Sequence, residues 1–157
     1  MSSYDHIDGA AAAVRTKILN AATALGGIKS VKDRDEDPAV LADNANDLPM
    51  VAVIPLGDKP DKITFTMGGS DWLHDFNLNI VGYYRFSMDN TSPMADLGTV
   101  RKYAFDTLEL FRGAMNAGFY PGCNARGADI DIGYFIVTDY VIYRYDIMLK
   151  CTMYESG

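Results

Sequence analysis

The architecture follows from one long alternating stretch, Trp72–Phe86, which reads WLHDFNLNIVGYYRF. Successive side chains of a β-strand point to opposite faces, so this period of two predicts a strand with one apolar and one polar face. The polar face includes Asp75, Asn77, Asn79 and Arg85. The pattern indicates an antiparallel sheet with one covered and one solvated face. The even-numbered positions of the apolar face are Trp72, His74, Phe76, Leu78, Ile80, Gly82, Tyr84 and Phe86.

Two amphipathic helices are predicted, one before the strands and one after this stretch. Apolar residues spaced by three and four form a stripe over Ile7–Leu25, and Gly26-Gly27 can end that helix because glycine accepts positive φ. A second stripe runs over Leu97–Met115, after a capping Ser92 and before Gly118. Both stripes are wide enough to cover the apolar face of a sheet.

Four further strands are expected. Met50–Pro55 and Lys62–Met67 precede Trp72 with short links, which favours an antiparallel meander. Ile130–Thr138 and Val141–Tyr154 follow the second helix after a glycine-rich loop at Tyr120–Gly127. The predicted fold class is α+β, in the order α-β-β-β-α-β-β, with two helices packed on one face of a mainly antiparallel sheet.

Length and composition bound the class of protein. The 157 residues predict a single domain over residues 1–157, and the net charge of −7, from 14 basic and 21 acidic residues, argues against a protein that grips nucleic acid. No apolar run reaches the roughly 18 residues of a membrane span, so no membrane segment is expected. Met1–Ala13 lacks a basic start and a long apolar segment, so no secretory signal is expected. Cys123 and Cys151 lack metal-site spacing and are expected to be reduced.

The segment at about residues 29–49 is predicted to be an exposed acidic excursion. From residue 32 it reads KDRDEDPAVLADNANDLP, which is rich in Asp and Asn and poor in large apolar groups. The spacing of its first three aspartates resembles the start of a calcium loop, but Pro38 and Asn44 stand where that loop needs glycine and glutamate. A solvated loop is therefore favoured over a metal site. Its candidates for contact with a partner are Asp33, Asp35, Glu36 and Asp37.

Few residues could support catalysis. The two histidines are His6, near the start of the chain, and His74, on the predicted buried face. His74 with Asp75, or Asp129 with Asp131, could form an acid–base pair, but no nucleophile elbow or phosphate-binding loop accompanies them. We therefore expect a protein that is not an enzyme and has no catalytic, metal or cofactor site.

Tyrosines are concentrated in the last two strands and the central one. Cross-strand packing accounts for many of them, but their number exceeds what one buried face accommodates, and tyrosine is favoured at protein interfaces. Tyr143 and Tyr145 are therefore candidates for an oligomer or docking surface.

The order and spacing of these features resemble a known family. An amphipathic helix precedes an Asp-rich stretch and Leu48-Pro49-Met50-Val51-Ala52-Val53, and a long strand then starts at Trp72 and ends in Val81-Gly82-Tyr83-Tyr84. A helix and two tyrosine-rich strands close the chain. From Ile7 to Tyr154 the sequence resembles the tail terminator, or tail completion, proteins of long-tailed bacteriophages.

This resemblance implies a virion structural protein that forms a ring, typically hexameric, around a DNA channel. The ring would cap the tail tube and provide the head–tail joining surface at the tail end of the virion, after assembly in the bacterial host cytoplasm. The implied partners are further copies of the chain, the tail tube protein and a head-completion or neck protein. DNA would pass without sequence-specific binding, and no membrane would take part. In such a ring, the polar residues Asp75, Asn77, Asn79 and Arg85 of the central strand would meet the next subunit or the channel. The alternatives are a phage neck or head-completion protein and a small α+β enzyme or ligand-binding module.

Overall fold

The computed structural model describes residues 3–36, 40–41, 45–55, 62–65, 72–87, 93–112, 120–137 and 140–155. These residues form an α+β fold, which confirms the predicted class. A single turn of 3-10 helix lies at Ala45–Asp47. The longer elements, in chain order, are α1 (Ser3–Asn20), β1 (Ser30–Lys32), β2 (Met50–Ile54), β3 (Lys62–Phe65), β4 (Trp72–Ser87), α2 (Pro93–Glu109), β5 (Cys123–Val137) and β6 (Tyr140–Glu155).

The strands form one six-stranded sheet in the order β1-β2-β4-β6-β5, with β3 also paired to β4. Its centre is the antiparallel pair of β4 and β6, which runs from Trp72 opposite Glu155 to Ser87 opposite Tyr140. The pairing of β1 with β2 is parallel, and the other pairings are antiparallel. The sheet is therefore mainly antiparallel, as predicted.

The predicted meander of three successive strands is only partly correct, because β3 pairs with the next strand as predicted, whereas β2 pairs with β4 and not with β3. Met50–Ile54 pairs with Asn79–Tyr83, and Lys62–Phe65 pairs with Trp72–Asp75. Since β6 occupies the other edge of β4 along its length, β2 and β3 lie end to end on the same edge of β4. The reason is length, because β4 has 16 residues whereas β2 and β3 have five and four.

Two strand boundaries differ from the sequence prediction. Ser30–Lys32 adds a strand at the start of the predicted excursion, with Val31 opposite Val51. Most of the predicted loop at Tyr120–Gly127 is strand, because β5 begins at Cys123 and passes through a bulge between Ala125 and Gly127. Its glycines favoured a loop, but an outer strand tolerates small residues when its neighbour supplies the hydrogen bonds.

Both helices end before the predicted positions, and α1 ends at Asn20 instead of Leu25. After α1 the chain turns through Gly26 and Gly27, whose φ angles of 92° and 74° confirm that glycine stops this region. The second helix runs from Pro93 to Glu109 and ends earlier than the stripe to Met115 suggested. The predicted cap at Ser92 and the stop at Gly118 lie outside the described residues.

Both helices pack on one face of the sheet, hereafter the helix-covered face, as predicted. Leu78 and Ile80 of β4 and Ile147 of β6 form a buried cluster there. The helices contribute Val14 and Ile18 from α1 and Val100 and Ala104 from α2 to the same cluster. Burial of these side chains is the main stabilising term, because each large aliphatic group removed from water contributes about 1.5–3 kcal/mol.

The opposite side of the sheet, hereafter the open face, has a smaller apolar cluster at one end. Leu41 and Leu48, from the segment predicted to be an acidic excursion, are buried against Met50, Val81 and Ile142. Asp33, Arg34 and Asp35 of the same segment are exposed. The remainder of the open face carries the alternating polar side chains of β4, β5 and β6.

Candidate interaction surface

The polar residues predicted on β4 lie on the open face and are linked across the sheet. Asp75 lies opposite Thr152, whose Oγ1 donates a hydrogen bond to Asp75 Oδ1 at 2.6 Å. One row further, Asn77 lies opposite Lys150, and Lys150 Nζ is 3.1 Å from Asp129 Oδ2 on β5. These side chains form a flat polar area over three strands.

Asn79 and Arg85 occupy the other half of the same strand. Asn79 Oδ1 is buried and accepts no hydrogen bond from any residue that the structure describes. Arg85 Nη1 donates to Asn46 Oδ1 at 2.8 Å, and its guanidinium lies 4.8 Å from the centre of the Tyr140 ring. Arg85 therefore contacts the segment around the 3-10 turn within the chain.

Asp35 is bound to the open face through a hydrogen-bond network with Tyr83, Arg144 and Asp146. Tyr83 donates its hydroxyl to Asp35 Oδ1 at 2.6 Å, and Arg144 Nη1 donates to Asp35 Oδ2 at 3.0 Å. Arg144 also donates two hydrogen bonds of 2.8 Å to the Asp146 carboxylate. Burial and the bond to Asp35 raise the pKa of Tyr83, and the bond to Asp146 raises the pKa of Arg144.

The other acidic candidates have different surroundings. Glu36 Oε1 accepts a hydrogen bond from Lys32 Nζ at 3.0 Å. Asp33 is exposed, and Asp37 lies outside the described residues. Asp35 and Glu36 are thus held in ion pairs within the chain, whereas Asp33 faces solvent.

The two tyrosine candidates lie in the core instead of on the surface. Tyr143 is buried and Tyr145 has no exposed surface, because both project to the helix-covered face. The Tyr145 hydroxyl is 3.3 Å from Thr107 Oγ1 of α2, and burial raises the pKa of Tyr145 to about 12. Cross-strand packing, the alternative considered from sequence, accounts for their positions. Tyr134 of β5 and Tyr154 of β6 are instead exposed, by 67% and 50%.

Neither proposed acid–base pair is arranged for catalysis. His74 is buried on the helix-covered face, with its ring 5.3 Å from that of Phe76, whereas Asp75 projects from the open face. Asp129 and Asp131 share the open face of β5, where the side chain of Asp129 is 73% exposed and paired with Lys150. A pair of carboxylates on an outer strand offers no enclosed space for a substrate.

The described residues contain neither a group of metal ligands nor a membrane-spanning helix. Across the described ranges, no three His, Cys, Asp or Glu side chains are grouped as metal ligands. No helix among the described residues is both long and apolar enough to cross a membrane.

The feature that sequence reasoning missed is the outer edge of β5. The strand order ends in β1 on one side and β5 on the other, and no described strand pairs with the outer edge of either. β5 has 15 residues, and Tyr134 and Ile136 on it are 67% and 62% exposed. The alternation of Asp129, Ile130, Asp131 and Ile132 could have indicated this position, since charged residues are common on edge strands.

No protein-family model matches the sequence, and no curated protein matches it. Among solved structures, the chain is similar to one from the "virion of native gene transfer agent (GTA) particle", with 15% sequence identity and a TM-score of 0.49. That match covers 92% of this chain and 94% of the other. The proposal for function therefore depends on the surfaces of the chain and on the resemblance found in its sequence.

Proposed function

We propose that this protein is a virion structural protein of a long-tailed bacteriophage that acts as a tail terminator. Six copies form a ring that caps the tail tube and presents the surface to which a head-completion or neck protein binds. DNA passes through the central channel without sequence-specific contacts. The order of elements that carries the sequence resemblance, from the leading helix to the two final strands, supports this proposal.

The observation that carries the proposal is the unpaired edge of β5. A 15-residue strand presents a row of N–H and C=O groups along this edge, with Tyr134 and Ile136 exposed beside it. Folded monomers protect such edges with bulges or charged side chains, because a long open edge pairs readily with another chain. In β5 the bulge and the charges lie between Ala125 and Asp131, whereas Ile132–Val137 has neither. In a protein that functions as an assembly, this edge can pair with another chain.

The charge of the chain is consistent with a DNA channel. Its formal net charge of −7 produces repulsion between the protein and the phosphate backbone of passing DNA. A small enzyme is less well supported, because His74 and Asp75 lie on opposite faces of the sheet and Asp129 and Asp131 lie on an outer strand.

The test is the mass and shape of the purified protein. Multi-angle light scattering is expected to give six copies, and negative-stain microscopy is expected to show rings with an axial hole that bind the ends of tail tubes. A protein that stays monomeric at all concentrations, with and without tail tubes, would contradict the proposal.

A pair of exposed-site variants sharpens this test. Ile136→Lys places a charge beside the edge of β5 and is expected to abolish rings, whereas Leu19→Lys changes a residue that is 54% exposed on α1 and is expected to leave them intact. Both variants should fold, because neither side chain is part of the core.

A further inference from the structure

We propose that neighbouring copies join through the two edges of the sheet with which no described strand pairs, so that β5 of one copy pairs with β1 of the next. This inference rests on the proposed function, and it names the contact that closes the ring. The occupant of the β5 edge is thus a second copy of the chain. The sheet continues from copy to copy around the assembly.

The strand directions suit this contact. β1 is parallel to β2 and β2 is antiparallel to β4, so β1 runs opposite to β4. β5 and β4 are both antiparallel to β6, so β5 runs with β4 and opposite to β1. A rotation about an axis along the strands keeps these directions, and β5 therefore meets the β1 of the next copy in the antiparallel arrangement. Because the two surfaces differ, the contact is head-to-tail, and its repetition generates the proposed ring when the rotation between copies closes.

In one register between β5 and β1 of the next copy, complementary side chains meet on both faces of the sheet. Asp131 lies opposite Asp146 and Lys32 opposite Ala52, so both project from the open face. When Asp131 of one copy is placed opposite Lys32 of the next, which is the last residue of β1, Asp129 lies beside the bend at Asp33 and Arg34 that follows the strand. Opposite charges directly across antiparallel strands are favourable, and a slip of one residue would move each of them to the other face.

The same register brings apolar side chains together on the helix-covered face. Ile132 falls opposite Val31 of the next copy, and within each chain both are partly buried against the main core. Their contact would extend that core across the boundary between copies.

The charges are accessible in the single chain. Asp131 and Arg34 are exposed, and the side chains of Asp129 and Lys32 are 73% and 39% exposed. Lys32 bonds Glu36 and Asp129 bonds Lys150 within the chain, so the new pairs would extend existing ion pairs. Pairing of β5 with itself about its central Ile130 would instead place Asp129 opposite Asp131, which is repulsive.

Charge reversal on each edge tests the contact. One variant carries Asp129→Lys with Asp131→Lys, and the other carries Lys32→Glu with Arg34→Glu. Each alone faces like charges at the contact, so its association is expected to weaken about tenfold or to be lost. An equimolar mixture restores opposite charges at every contact, and native mass spectrometry should show rings with equal numbers of both variants.

The controls separate folding from assembly. Asp8→Lys and Arg101→Glu change exposed charges on the two helices and should leave the rings unaffected. Circular dichroism and thermal melting establish that each reversed variant is folded. If a reversed variant fails to fold, the milder pair Asp131→Asn and Arg34→Gln replaces it, and the expected result is a ring whose dissociation depends less on salt than that of the wild type.

The possible results distinguish this inference from the proposed function. If the wild type forms rings and either reversed variant assembles equally well, or if the mixture stays dissociated, the edge contact is wrong while the ring stands. If the wild type forms no rings under any condition, the proposed function fails, and the edge contact fails with it.

Discussion

In the centre of the sheet, the side chain of Tyr145 lies very close to the backbone of Gly82. They lie opposite each other on β4 and β6, and an added Cβ at Gly82 would overlap the Tyr145 ring. Tyr145 is completely buried, and its hydroxyl lies beside Thr107, so the ring has no free space in which to move. Glycine is required here by the ring above it and not by its own backbone conformation.

Gly82→Ala is therefore expected to destabilise the protein by about 1–3 kcal/mol through overpacking. Chemical denaturation measures the change in the free energy of unfolding. The matched control is Gly98→Ala on α2, where an added Cβ meets no atom within 4 Å and alanine favours the helix. Equal stability of Gly82→Ala and the wild type would show that the Tyr145 ring lies elsewhere.

At the scale of the element, the stretch of residues 29–49 is attached to the sheet in three ways. Ser30–Lys32 joins it as β1, Leu41 and Leu48 are buried on the open face, and Asp35 binds Tyr83 and Arg144. The sequence prediction for this stretch is based on its acidic residues. In the structure, its two buried leucines, Leu41 and Leu48, position it on the sheet.

Asp35→Ala tests the polar part of this attachment. It removes the acceptor of the Tyr83 hydroxyl and one partner of Arg144, while Arg144 keeps both bonds to Asp146. The expected loss is about 1 kcal/mol, because the pair is partly exposed and screened by solvent. Hydrogen exchange should become faster in peptides that contain β1 and Leu48.

The control for this change is Asp33→Ala, at an exposed position in the same stretch. Its effect on stability is expected to stay within about 0.5 kcal/mol. Identical exchange rates in the Asp35→Ala and Asp33→Ala variants would contradict a fastening role for Asp35.

At the scale of the whole molecule, the buried tyrosines couple stability to alkaline pH. Burial raises the pKa values of Tyr83 and Tyr84, and it raises that of Tyr145 from 10.0 to about 12. Between these values the unfolded chain loses the tyrosine proton while the folded chain keeps it. The contribution to stability is therefore fully present below pH 10 and is lost as pH rises toward 12.

Tyr145→Phe is expected to lose less stability than the wild type between pH 10 and pH 12. The difference for one group shifted by two pKa units is about 2–3 kcal/mol, and urea denaturation at several pH values measures it. The exposed Tyr134→Phe should follow the wild-type curve. Parallel curves for Tyr145→Phe and the wild type would contradict the assignment.

Much of the fold could be predicted from local patterns. The alternation of Trp72–Phe86 identified β4, and stripes with helical spacing identified α1 and α2. The same alternation separated the helix-covered face from the open face, because the direction of a side chain follows from its position along the strand. These properties depend on residues that are close together along the chain, so they can be predicted from the sequence.

Tertiary structure decided which edges and which surfaces are available. The end-to-end placement of β2 and β3 along β4, the pairing of β1 and the exposed edge of β5 all depend on contacts between distant parts of the chain. Tyr143 and Tyr145 looked like surface candidates by composition, but packing on the helix-covered face buries them. A period of two indicates the face of each residue, whereas the neighbour of each strand is determined only when the whole sheet has formed.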